Sequence, residues 1–382
     1  MIKIFTAFTQ EVDDANAAVA EITQSLAFEG KLLKNSVGII SCYSEFVETG
    51  VLKAICDSLP FDCIGSTTCL SATCDVADSF LFAITVLTSD DCDFKAMSIP
   101  IENFENQIPS VLNKVCEKEK PSLLLVNIPL LNVAGMPSGD VLMNTIDKVT
   151  NGIPMFGTIS VDHTPNYSTN AVMHNGEAFT DKIVLCAISG NVNFAFEVAS
   201  INSDKIIQKK SVITKSDGNI LHGVDGKNAF EFLTEIGLSK EDLDLGLGLV
   251  PFIVDHKDGT IPIARATYSL TPDGSAVCGG AMQQGALLTV GHISRDDVIS
   301  TTVNTLPLIT KEDGLVLIYS CIGRFFTLGS DFLVEPQKII EHMNGRNFMY
   351  AQSGGEFCPL PDADGKLKNY FHNYSIIFCR IS

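Results

Sequence analysis

Apolar residues fall along this chain in two alternating patterns, short uninterrupted runs that suit buried strands and spaced positions that mark one face of a helix. The opening Ile2-Lys3-Ile4-Phe5-Thr6-Ala7-Phe8 reads as a strand. Ala15, Ala18, Val19, Ile22 and Leu26 then recur at helical spacing behind the acidic pair Asp13-Asp14, and Gly30 stands where a C-terminal cap belongs. Val37 to Ser41 predicts a second strand, and Val51, Leu52, Ile55 and Leu59 give the inner face of a helix that Pro60 ends.

This order returns further on, as an internal repeat would require. The first unit runs from Asn35-Ser36 through strand, helix and Leu59-Pro60-Phe61 to Ile64-Gly65-Ser66-Thr67, closing with a strand at Phe80 to Leu87. A second has a strand at Leu123 to Val126, a helix carrying Val141, Leu142, Ile146 and Val149, then Pro154-Met155-Phe156-Gly157-Thr158 and a strand at Ile183 to Ile188. A third, looser unit places a strand at Leu315 to Tyr319, a helix at Pro336, Ile339, Ile340 and Met343, and a return from Phe348 to Gly355. Each unit has a strand that ends in a Gly/Ser/Thr-rich loop, the position where open α/β sheets place ligands.

Between Val192 and about Gly291 the pattern changes to short strand-like runs with turn signals at Asp217-Gly218, Asp225-Gly226, Asp258-Gly259 and Asp273-Gly274, which predicts mostly antiparallel sheet. One helix interrupts it, with Ala229, Phe230, Leu233 and Ile236 inward. Another starts at the capping pattern Ser294-x-x-Asp297 and runs to Pro307. The expectation is a mixed α/β (α+β) chain in two domains, 1–205 and 206–382, of mixed sheets covered by helices, with βαβ-type repeats and an antiparallel segment in the C-terminal half.

Charge narrows the ligand classes. With 26 Lys and Arg against 45 Asp and Glu, the formal charge of −19 repels phosphate backbones and anionic lipid. Aromatic content of 8% without Trp gives little for base stacking, so nucleic acid is not expected as a ligand. No export signal and no apolar segment near bilayer length are read, which points to a soluble, cytoplasmic chain with no membrane partner. Among twelve cysteines, Cys56, Cys186 and Cys379 lie in apolar runs, and Cys63, Cys69 and Cys74 lack the spacing for a metal site. Gly246-Leu247-Gly248 lacks the third glycine of a dinucleotide loop.

Four segments in order, Leu221-His222-Gly223-Val224-Asp225-Gly226-Lys227-Asn228-Ala229, Pro272-Asp273-Gly274-Ser275, Ser320-Cys321-Ile322-Gly323-Arg324, and Ser353-Gly354-Gly355-Glu356-Phe357 with Asn373-Tyr374-Ser375, resemble the C-terminal domain of the FIST family. Ile64-Gly65-Ser66-Thr67 and Phe156-Gly157-Thr158-Ile159-Ser160-Val161-Asp162 are similar to its N-terminal domain, although Thr68-Cys69-Leu70-Ser71 departs from the Gly-Glu continuation of that domain. The resemblance implies intracellular signal transduction by a sensory region that binds small ligands such as amino acids. With no output domain attached, a signalling protein in trans is the expected partner.

Within this frame Arg324, which follows a strand, is the first candidate to hold a ligand carboxylate, and Glu356, just after two glycines, is the candidate for an ammonium group. Both side chains have an ordinary structural alternative, as ion-pair partners inside the fold. Arg265 and Asn373 are further ligand-binding candidates, and Gly65, Ser66 and Asp162 are the contribution expected from the first half. Cys321 is counted with the ligand-binding residues. It also opens a thiol-enzyme alternative with His372 and Asn373, while a buried small Cys is the commoner case. Neither catalysis nor a bound metal is expected. Some FIST-like proteins bind haem through a histidine and sense nitric oxide; here haem remains an alternative cofactor, and none of the seven histidines is matched to it. The last alternative is an interaction scaffold without a ligand.

Overall fold

A computed structural model describes residues 1–131, 138–164, 166–206, 209–237 and 251–382. Gly246-Leu247-Gly248 lies outside the described residues.

The repeat seen in the sequence organises the chain. In the first unit, strand β1 (Ile2–Thr9) and helix α1 (Ala15–Leu26) lead to β2 (Asn35–Cys42), and helices α2 (Glu45–Glu48) and α3 (Val51–Ser58) to β3 (Asp62–Thr67). A hairpin β4–β5 (Ser71–Thr73, Val76–Asp78) and β6 (Phe82–Ser89) complete it. The second unit repeats this as β7 (Cys92–Pro100), α4 (Phe104–Lys118), β8 (Leu123–Ile128), α5 (Gly139–Thr150), β9 (Met155–Ile159), hairpin β10–β11 (Val172–His174, Glu177–Phe179) and β12 (Lys182–Gly190). The third begins at β13 (Phe194–Ala199) and is interrupted by an insert. The insert holds β14 (Ser211–Asp217), β15 (Ile220–Val224), β16 (Lys227–Asn228), α6 (Ala229–Glu235), β17 (Phe252–Asp255), β18 (Ile263–Arg265), β19 (Thr267–Leu270), β20 (Ala276–Cys278) and β21 (Leu287–Val290). The unit resumes with α7 (Arg295–Ile309), β22 (Leu315–Cys321), α8 (Ile322–Leu328), α9 (Val334–Met343), β23 (Phe348–Ser353), hairpin β24–β25 (Glu356–Pro361, Leu367–His372) and β26 (Ile376–Ile381).

Each unit builds the same sheet core, a central strand parallel to the strand after it and antiparallel to the unit's last strand. Ile39 pairs with Ile64 and Thr85, Leu125 with Phe156 and Cys186, and Leu317 with Met349 and Cys379. Alternation along the central strands serves two cores at once. Val37, Ile39, Leu123, Leu125, Leu315 and Leu317 point into one cluster shared by all three units, while Ile40, Leu124 and Val316 face the helices of their own unit. That double burial explains why these strands read as continuous apolar runs.

The hairpins are exchanged in a ring. β4 of the first unit pairs with β23 of the third, β10 of the second with β3 of the first, and β24 of the third with β9 of the second. Three six-stranded sheets result, each finished by the hairpin of another unit. Residue 205 falls inside the third unit, between β13 and the insert, and two of these sheets combine strands from both sides of it.

The insert forms an antiparallel sheet covered by α6, whose Ala229, Phe232 and Leu233 join its core. Its four Asp-Gly signals mark true turns, with Gly218, Gly226, Gly259 and Gly274 at φ of 55, 80, 84 and 81°. Helix α7 starts with the expected capping box of Ser294 and Asp297 and passes through Pro307 to Ile309. Pro307 falls in the last turn, where the carbonyl it deprives belongs to the exposed Val303.

Candidate functional site

The site forms where β22 ends and the exchanged hairpin of the third unit leaves for the second. Cys321 is the last residue of β22, and Glu356 starts β24 opposite Thr158 of β9. Ser375 donates to Glu356 Oε2 at 2.8 Å, Ser353 receives the Thr158 hydroxyl at 2.7 Å, and the Cys321 thiol lies against the Glu356 carboxyl. Glu356 Oε1 is buried with no partner among the described residues, and so is the Tyr374 hydroxyl. Burial pushes the Glu356 carboxyl well above the usual carboxylate range, only partly offset by its hydrogen bond from Ser375. Burial and the neighbouring Glu356 likewise raise the Cys321 thiol, so the surroundings disfavour the ionised form of either group.

Around this pair stand three phenols that the sequence reading did not single out as site residues. Tyr374 lies flat against Gly323, where a Cβ would come within 2.9 Å of its ring; the Cys-Ile-Gly-Arg segment needs its glycine for that approach. Tyr268, on β19 of the insert, places its hydroxyl beside Gly279 and Asn373. Tyr268 and Tyr374 interact electrostatically with Cys321 and with one another, and the half-buried Tyr167 reaches Cys321 as well. Tyr167 and Tyr374 both hold positive φ, 50 and 54°, a costly backbone state for a large side chain and one that collects at functional sites.

The candidates from sequence separate into those that meet here and those that do not. Cys321 and Glu356 meet, and Asn373 stands beside Gly355 and Gly279 at their edge. Arg324 points away, toward the helices: it is fully buried against the equally buried Glu335, with Nη2 at 2.7 Å and Nε at 3.1 Å from the same carboxylate oxygen. Its other donors go to Thr301, Thr302 and the Val298 carbonyl. The expected carboxylate-holding group is therefore engaged within the protein, because α8 and α9 turn Glu335 back toward it. Arg265 is engaged too, 3.6 Å from Asp140 with side chains 2% and 6% exposed, and Nη1 donates to the Phe371 carbonyl at 2.6 Å. That bridge fastens the insert to α5.

Gly65 sits within β3, where a Cβ would be 2.2 Å from the Ile40 carbonyl oxygen, and Ser66 pairs with Val172; both belong to the strand packing of the first unit. Asp162 organises the loop that carries Tyr167, accepting from the Thr164 amide and hydroxyl and from the Thr169 amide at 2.5 to 2.6 Å. The close approach expected at the Gly354-Gly355 pair is made by the protein's own Phe371, whose ring lies 2.3 Å from a Cβ built at Gly355. His372 hydrogen bonds the Cys358 carbonyl at 2.9 Å, while the neighbour of Cys321 is Glu356. A separate surface cavity of about 490 Å³ between the β4–β5 turn and the end of α9, lined by Cys74, Glu341 and Arg346 among others, shares no residue with this site.

No curated protein matches the chain. Family models do: that of the FIST N domain matches residues 36–227 and that of the FIST C domain residues 229–359, two spans that between them carry every motif of the candidate site up to Glu356, and the chain belongs to the FIST family.

Proposed function

We propose that this protein is a cytoplasmic small-ligand receptor without enzymatic activity of its own, and that it passes its ligand state to a separate signalling protein. FIST domains are in general associated with small-ligand binding in signal transduction. Among the described residues no helix is long and apolar enough to cross a membrane. The observation that carries the reading is two buried, unpartnered polar atoms, Glu356 Oε1 and Tyr374 Oη, on side chains that both interact with Cys321. A buried polar atom without a partner costs about 1–3 kcal/mol, and a ligand that bonds both atoms recovers that cost on binding.

The amino-acid ligand expected from sequence relied on Arg324 for its carboxylate. With that guanidinium tied to Glu335, the reading keeps a small ligand at the Glu356 end of the site. The raised thiol of Cys321 favours a packing and lining role over a nucleophilic one, since the thiolate is the reactive form.

The test is native mass spectrometry with an absorption spectrum on gently purified protein, wild type beside Glu356→Gln and Tyr374→Phe. A retained small molecule in the wild type that both variants lose supports the reading. Equal retention in all three places the ligand elsewhere, and a haem band would replace the reading with a gas-sensing one.

A further inference from the structure

Around the two unpartnered atoms, the described lining is acidic and aromatic. Tyr167, Tyr268 and Tyr374 lie within electrostatic reach of Cys321, Tyr268 also of Glu356, and Asp162 of Tyr167. Tyr268 is 46% exposed although its hydroxyl is packed against Gly279 and Asn373, so part of its ring faces outward at the edge of the site. Of the two arginines nearest in the fold, Arg324 is neutralised by Glu335 and Arg265 by Asp140.

Aromatic faces carry negative potential and attract cations, and a carboxyl group among them adds an acceptor with formal charge. An anion would find no uncommitted cation among the described lining residues, and a neutral guest would leave the tyrosine faces electrostatically unused. From this arrangement we infer that the site takes a small organic ammonium ion, with an N–H on Glu356 Oε1 and its carbon body against the rings of Tyr167, Tyr268 and Tyr374. The inference rests on the reading that this cluster is the ligand site, and it names the ligand class.

The burial of Glu356 is consistent with such a guest. A permanent carboxylate at Glu356 would be an uncompensated buried charge, and burial raises the pKa of the group, which an arriving cation opposes. Ligand and carboxylate then neutralise one another in a place that excludes water.

The experiment compares n-butylammonium chloride with 1-butanol, which has nearly the same shape and no charge, by saturation-transfer NMR on the full chain at matched ionic strength. Butylammonium is expected to bind roughly tenfold more tightly, the scale of about 1.4 kcal/mol that a partly desolvated cation–π contact supplies. Glu356→Gln, close in shape to the protonated acid, is expected to remove that preference. Tyr268→Leu, which keeps apolar surface and removes the π face, is expected to reduce it several-fold and serves if the Gln variant does not fold. Equal binding of the two compounds overturns the cation inference while leaving a ligand site in place. A preference that survives both variants overturns the location. Binding of neither compound overturns the inference as well, and the retained-ligand measurement on gently purified protein then decides separately whether the cluster is a ligand site.

Discussion

Replacing Arg324 separates a structural role from a ligand-binding one. In Arg324→Met, Glu335 loses both guanidinium contacts but keeps hydroxyl donors from Thr302 at 2.7 Å, Ser320 at 2.6 Å and Tyr350 at 3.0 Å. Breaking a fully buried pair by removing one partner costs about 3–5 kcal/mol, and the three surviving donors hold this case near the lower end. In the double variant Arg324→Met, Glu335→Leu the orphaned charge is gone, although those hydroxyls lose their acceptor. Stability should then return to within about 2 kcal/mol of wild type. Urea unfolding of the three proteins measures this, with the slope of free energy on denaturant checked for constancy. Arg324 holds the Glu335 carboxyl below its ordinary value despite burial. The stabilisation from this pair is therefore present above the unfolded-state pKa and lost as pH falls through the folded one. Ligand binding by the folded single variant should be unchanged. A loss under 1 kcal/mol, or a variant of wild-type stability that no longer binds ligand, would refute the reasoning.

His372, buried and hydrogen bonded to Cys358, has its pKa pushed down to about 4 by desolvation, so the unfolded chain takes up its proton first as pH falls. Stability should drop between about pH 6.5 and pH 4 by roughly 3 kcal/mol from this group, a slope that His372→Gln flattens in pH-dependent urea titrations. Fragments 1–205 and 206–382 should each fail to give dispersed amide NMR spectra alone, because each lacks strands its sheets require; a well-folded 1–205 would contradict the exchanged topology. Iodoacetamide at neutral pH should label the exposed Cys74 well before Cys321, which is buried and has a raised thiol pKa; rapid labelling of Cys321 would revive the thiol-enzyme reading.

The three-unit plan was legible because double burial writes itself into sequence as apolar runs. Val37 to Ser41, Leu123 to Val126 and Leu315 to Tyr319 all became central strands. The exchange of hairpins was not legible. Ser71–Thr73 is short and weakly apolar, and its partner Met349 is far along the chain, so no local pattern records the pairing. A boundary drawn at 205 follows a change in local character that the sheets ignore. At the site, Glu356, Cys321 and Asn373 could be named because glycines and strand ends flagged their surroundings. The pairing of Arg324 with Glu335 depends on how two short helices turn, and the approach of Tyr268 to Cys321 depends on the return of the insert. The segment Asn373-Tyr374-Ser375 did carry one signal, a tyrosine two residues before an apolar strand.

The ring of exchanged hairpins limits how this molecule can report what it binds. To swing one unit away from another, main-chain ladders between β4 and β23, β10 and β3, or β24 and β9 have to break, so a clamshell motion is unavailable to the folded chain. The insert is held differently: side-chain bridges from Arg265 to Asp140 and from Asp258 to Lys368 and Tyr370 fasten it, and it carries Tyr268. A rigid three-part chassis with one bolted-on panel leaves the panel and the surface loops as the parts that can shift when the site fills, and a partner that reads the signal has to touch one of them.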